Sequence, residues 1–149
     1  MMTVIEGSVT AAKGFEAAEI KYKNRTDMAL IYSQVPAVAA GTFTTNVVKA
    51  APVLWDQKIV YHSPKAQAVV INSGIANACT GKEGMDYCQD IADKTAQVLG
   101  VASDSVLVAS TGVIGMQLPI DRMKRGIELL AEGKSDTLDA GDAAAHAIM

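Results

Sequence analysis

The sequence predicts an α/β domain built from layered strands and helices. Three observations carry this. The first half holds short apolar or β-branched runs broken by Pro and Gly. The second half holds apolar residues at helical spacing. Between residues 66 and 133 the two patterns alternate as strand, helix, strand, helix, the order that builds sheet-and-helix layers.

The elements follow in order. Residues 27–33 (DMALIYS) and 37–45 (AVAAGTFTT) read as two strands separated by Pro36, which cannot donate to a ladder. Residues 51–60 (APVLWDQKIV) fit strand or helix. Residues 66–72 (AQAVVIN) are the clearest strand, with a consecutive apolar run of the kind that is buried on both faces. Residues 84–99 form a helix, with Tyr87, Cys88, Ile91, Ala92, Val98 and Leu99 mostly at i, i+3/i+4 spacing. Gly100 then suits the left-handed residue that ends it. Residues 105–109 (SVLVA) are a strand. Pro119 opens a second helix whose apolar face is Ile120, Met123, Ile127 and Leu130, closed by Gly133. Residues 139–149 read as a third, alanine-rich helix.

Size and composition bound the rest. The chain has 149 residues, 50% of them hydrophobic and only 19% charged, which excludes intrinsic disorder. Residues 1–149 read as a single domain, large enough to bury roughly 68–70% of its unfolded surface. A net charge of -3 argues against nucleic-acid binding, which needs a basic face. Lys21, Lys23 and Arg25 cluster, but Glu19 and Asp27 flank them, so a solvated turn is expected. No apolar run approaches the ~20 residues of a membrane span, and the N-terminus lacks the pattern of a secretory signal. Two cysteines are too few for a disulfide framework. A cytoplasmic protein with free thiols is expected.

Several motifs fail. Gly74 and the Gly81-Lys82 pair have six residues between them where a P-loop has four, and there is no G-x-G-x-x-G. Isolated His62 and His146 argue against zinc. No G-x-S-x-G elbow is present, and Thr10-x-x-Lys13 lacks the companions of a serine-lysine acylation site. Asn24-Arg25-Thr26 fits a glycosylation sequon but reads as a surface turn. No cofactor is expected.

Two strand-to-helix junctions remain, at residues 72–84 and 110–119. The first, NSGIANACTG over 72–81, could order a site wall through Asn side chains and backbone, or be a tight connection with Asx-type turns. Cys79 within it has no histidine nearby in sequence, so a small packed thiol is expected. The second, ASTGVIG over 109–115, places the Thr111 hydroxyl beside the Gly112 N–H. Two donors on one side of a tight turn are what an oxyanion hole requires. An ordinary loop exit capped by a Thr would look the same, and on composition alone it is the simpler reading.

At these residues the sequence resembles the bifunctional ornithine acetyltransferases, or glutamate N-acetyltransferases, of arginine biosynthesis. The likeness is to their α chain. It runs through residues 9–18 (VTAAKGFEAA) with 27–31 (DMALI), 39–53 (AAGTFTTNVVKAAPV), 70–81 (VINSGIANACTG) and 109–121 (ASTGVIGMQLPID). The resemblance implies the self-processing fold of that family. A precursor cuts itself before a threonine, which becomes the nucleophile at the start of a β chain. That threonine takes an acetyl group from N-acetylornithine and passes it to glutamate. Many members also accept acetyl-CoA as donor. The family's Thr-Gly oxyanion pair falls on Thr111 and Gly112, which reverses the preference for an ordinary loop. The implied partner is the β chain of the same precursor, in an α2β2 heterotetramer, with small apolar residues as part of the interface. In the family A-I-M is followed by T-T-D and then a K-G-S-G-M-I segment before the cut. Residues 1–149 are therefore expected to be a partial α chain, an oxyanion hole without its nucleophile. The segment 18–23 is shorter than in many members and is expected to be a shortened hairpin. Two other readings stand beside this one: a self-processing hydrolase of the same fold, and a non-enzymatic binding domain, since the chain has no evident general base.

Overall fold

A computed structural model describes residues 3–4, 6–22, 25–63 and 65–149, with residues 21, 22, 25 and 26 described as backbone only. The side chains of Lys21, Lys23 and Arg25, and the sequon at Asn24, lie outside the described residues.

Among the described residues four strands form one sheet in the order β1 (Phe15–Tyr22), β2 (Arg25–Val38), β3 (Lys65–Asn72) and β4 (Val106–Ser110). β1, β2 and β3 run antiparallel, and β3 and β4 are parallel. The helix α2 (Glu83–Leu99) makes the crossover between the parallel pair, as such a pair requires. The helices α1 (Ala51–His62), α3 (Ile120–Gly133) and α4 (Leu138–His146) complete the expected α/β layers.

Strand β1 was not anticipated beyond a shortened hairpin at 18–23. Its alanines hide it. Ala17 and Ala18 are both buried, on opposite faces of the sheet. Ala17 packs with Ala29, Ala144 and Ala147, under α4. Ala18 joins the main core with Leu30, Val70, Val108, Ile91, Ile127 and Leu130, under α1 to α3. Small side chains let the layers approach closely. A methyl group on Gly126 of α3 would sit 2.7 Å from both Ile20 Cδ1 and Met28 Sδ.

The expected strand at 37–45 is not formed. β2 runs through Pro36 to Val38, and residues 39–49 hold no helix or strand. Pro36 is tolerated because the pairing jumps from Tyr32↔Ala68 to Ala37↔Ala66, so no ladder donor is needed there. Beyond it, Thr44 Oγ1 accepts from the Asn46 N–H and Asn46 Oδ1 from the Val48 N–H. These local bonds compete with a ladder.

Residues 51–60 resolve as helix. Trp55 and Ile59, one turn apart, face the core. α1 lies along the outer edge of β4, where Trp55 Nε1 donates to the Val106 carbonyl at 2.9 Å and Asp56 Oδ1 accepts from the Val108 N–H at 2.9 Å. α1 thus covers the β4 edge, which would otherwise offer unpaired backbone groups. The opposite edge, on β1, is met at one point by a bridge between Ala17 and Ser135.

β3 is not buried on both faces as expected. Ala66, Ala68, Val70 and Asn72 are buried, while Gln67, Val69 and Ile71 are half-buried. The second face is covered by α4 only at the end near Ile71. Phe15, Ile31, Val69 and Leu107 line an open hollow over the rest of it.

The remaining helices begin and end for local reasons. Gly100, at φ 70°, closes α2 and donates its N–H to Ala96. Pro119 immediately precedes α3, and its carbonyl accepts from Met123. Thr137 caps α4 through the Ala140 N–H. α4 stops at His146 rather than running to Met149. No helix among the described residues is long and apolar enough to cross a membrane.

Candidate active site

The two junctions singled out in the sequence meet at the carboxyl ends of β3 and β4. Crevices at such ends are common ligand sites in α/β sheets. The loop after β3 and the loop after β4 are laced together by backbone bonds. Thr111 N–H donates to Asn72 at 3.0 Å, Val113 N–H to Gly74 at 3.0 Å, Ala76 N–H to Val113 at 2.9 Å and Gly115 N–H to Ala78 at 2.9 Å. The parallel pairing of the strands thus continues past their ends as an Ile75–Val113 bridge.

Gly112 sits in the middle of this lacing with φ 128°. A Cβ there would lie 2.3 Å from the Gly74 carbonyl carbon and 2.7 Å from the Ile75 nitrogen. Only glycine fits. Thr111 and Gly112 are both exposed. Neither the Thr111 hydroxyl nor the Gly112 N–H has a partner among the described residues. Two neighbouring donors are therefore presented outward from a tightly specified turn. Val113, Ile114 and Met116 follow as an exposed apolar lip.

Below the loops lies a buried polar cluster around Asn77, one of the Asn side chains of 72–81 expected to order this segment by hydrogen bonds. Asn77 is 1% exposed. Its Nδ2 donates to the Gly84 carbonyl at 2.8 Å and lies 3.4 Å from Cys88 Sγ, and its Oδ1 accepts from Thr80 Oγ1 at 2.7 Å. Burial, then the charge of Asp56, pushes the Cys88 thiol up to about 12, against the Asn77 contact. Cys88 is therefore unreactive at neutral pH. The packed thiol is Cys88. Cys79, expected to be packed, is exposed on the loop, where the chain turns through φ 57°. Thr10 is also structural: it is buried and its hydroxyl donates to the Thr137 carbonyl at 2.9 Å.

Asp56 is a group that the sequence did not single out. Burial raises its carboxyl from 3.8 to about 6, opposed by the hydrogen bond from Val108. Its role at the edge of β4 needs an acceptor and not a charge. The unfolded chain loses the proton from about pH 3.8, and the folded chain only near pH 6, so stability falls as pH rises between the two. Asp56→Asn keeps an oxygen for Val108. It should add about 1–2 kcal/mol above pH 6, with allowance for partial solvation, and nothing below pH 4. Thermal unfolding at pH 4 and pH 8 reads this directly; a variant-minus-wild-type gap that is the same at both would contradict it.

Comparison with known proteins shows the family. The model of the ArgJ family matches residues 12–149. The arginine biosynthesis bifunctional protein ArgJ of Gloeobacter violaceus is 48% identical over 149 residues, covering 97% of this chain and 36% of the relative. That of Caldanaerobacter subterraneus is 47% identical, covering 99% of this chain and 37% of the relative. The chain thus spans little more than a third of these relatives. The crystal structure of the Bacillus halodurans protein superposes with a TM-score of 0.90 at 41% identity, covering 95% of this chain and 75% of that one. The ornithine acetyltransferase of Mycobacterium tuberculosis, solved in complex with ornithine, gives 0.90 at 40% identity, covering 96% and 79%. With a family match along nearly its whole length and the same fold, the chain belongs to the ArgJ family.

Proposed function

We propose that this chain is the α-chain portion of a glutamate N-acetyltransferase of arginine biosynthesis and supplies its oxyanion hole. The acetyl group moves from N-acetylornithine to glutamate through an acyl-threonine whose threonine lies on the second chain of the same precursor. The observation that carries this is the pair of uncommitted donors at Thr111 and Gly112, on a turn that admits only glycine at its centre. Each acyl transfer passes through a tetrahedral oxyanion, and donors fixed beforehand at that position lower its energy without reorganising. That the Mycobacterium tuberculosis relative was solved in complex with ornithine supports N-acetylornithine as the source of the acetyl group.

The open part of the sheet's second face supports the partner. A β chain would meet the sheet through this apolar hollow, over Phe15, Ile31, Val69 and Leu107. Assembly as α2β2 in the cytoplasm follows the same reading.

The test uses the full-length precursor. Ornithine and N-acetylglutamate should form together from N-acetylornithine and glutamate, and residues 1–149 alone should transfer nothing. Acetate released at the same rate without glutamate would make the protein a hydrolase. Transfer by the isolated chain would remove the need for a second-chain nucleophile.

A further inference from the structure

Ser110 ends β4 and immediately precedes Thr111, and its hydroxyl is committed in two directions. It accepts from the Asn77 N–H at 2.8 Å and donates to the Ile75 carbonyl at 3.2 Å. One side chain thus holds both a donor and an acceptor of the facing loop. Asn77 carries the linkage onward through Nδ2 to Gly84, in the first turn of α2. The Ile75 carbonyl has a second donor, Asn72 Nδ2 at 2.7 Å. The end of β4 is therefore referenced, one residue before the candidate donors, to Asn77, which is buried and bonded at both ends of its amide.

We propose that Ser110 is a positioning residue for the acyl transfer. It sets the direction in which the Thr111 hydroxyl and the Gly112 N–H are presented to the reacting carbonyl. This rests on the oxyanion reading of Thr111 and Gly112. The backbone lacing through residues 72, 74, 76, 78, 111, 113 and 115 does not depend on Ser110. Loss of its hydroxyl should leave the two loops paired. What it removes is the restraint between residues 75–77 and the end of β4, and small misplacements of a preorganised donor fall on the transition state rather than on substrate binding.

The experiment compares Ser110→Ala, Ser110→Thr and Thr111→Ala in the full-length, self-processed enzyme, with rates normalised to the acyl-enzyme formed. Ser110→Ala should lower kcat about 10–100-fold with KM within about twofold, and Ser110→Thr, which keeps the hydroxyl, should recover most of it. If Ser110→Ala keeps wild-type kcat while Thr111→Ala is slow, the positioning role is wrong and the oxyanion reading survives. If Thr111→Ala is as fast as wild type, the reading itself fails and the proposal with it. If Ser110→Ala and Ser110→Thr are equally slow, the hydroxyl is not the agent and the proposal is overturned. Should Ser110→Ala not accumulate folded, Ser110→Cys is read instead: a loss of about tenfold in kcat supports the role, and wild-type kcat overturns it.

Discussion

Thr111→Ala in the complete enzyme is expected to slow acetyl transfer by about 10²–10³-fold, or about 2.7–4 kcal/mol of transition-state stabilisation. The hydroxyl makes no bond to the protein among the described residues, so its removal leaves nothing buried and unpaired. The backbone of residue 111 stays fixed by the bond from its N–H to Asn72. Stability should therefore change by less than about 0.5 kcal/mol, the usual range for an exposed site. That separation makes the variant informative. A large fall in kcat with an unchanged melting temperature locates the effect in the reaction. KM for N-acetylornithine should move little, because a hydrogen bond to a developing oxyanion strengthens only as charge appears. Thr111→Ser keeps the donor and should stay within about tenfold of wild type. A Thr111→Ala enzyme that turns over normally would return the segment to an ordinary loop exit.

How far the residues alone reach is clear from particular elements. The parallel pair and its crossover helix were legible because β3, β4 and α2 each bury one kind of pattern. β1 was not. Two adjacent alanines buried on opposite faces give no hydrophobic alternation, and the burial of Ala17 depends on α4, more than 100 residues later in the chain. α1 was ambiguous because Trp55 and Ile59 suit a helical face while the apolar residues around them also suit a strand; the edge of β4, which it covers, settles the matter. Residues 37–45 have strand-forming composition, yet Thr44 and Asn46 satisfy their neighbours' N–H groups locally.

The candidate site divides the same way. Thr111 and Gly112 stood out because glycine and hydroxyl density after a strand is visible in one segment. Ser110 with Asn77, and Asp56 with Val108, are pairs separated by 33 and 52 residues, and nothing in either segment announces the other. Function at this turn needs both kinds of information. The donors are local, but the frame that aims them is assembled from the β3 loop, the first turn of α2 and the edge of β4.

Gly112→Ala is the harsher test of that frame. The added methyl carbon would meet the Gly74 carbonyl carbon at 2.3 Å and its oxygen at 2.4 Å, all backbone that cannot swing aside. The alternative is to push the two loops apart, which breaks the bonds from Val113 to Gly74 and from Ala76 to Val113. The φ of 128° adds its own cost for any residue with a Cβ. Crowding and strain together should cost about 3 kcal/mol or more. Whatever fraction remains folded should have lost at least about 10³ in kcat, because the displaced group is itself a donor. Gly115→Ala is the matched control. Gly115 also has positive φ, 78°, but nothing lies within 4 Å of its missing Cβ. It should lose only the left-handed penalty, about 1–2 kcal/mol, with kcat near wild type. Melting curves and acetyl-transfer rates for the two variants separate crowding from backbone strain. If Gly112→Ala proves as mild as Gly115→Ala, the close approach of Gly112 to Gly74 is not what holds the donors. The case for an oxyanion hole built on it would then have to be given up.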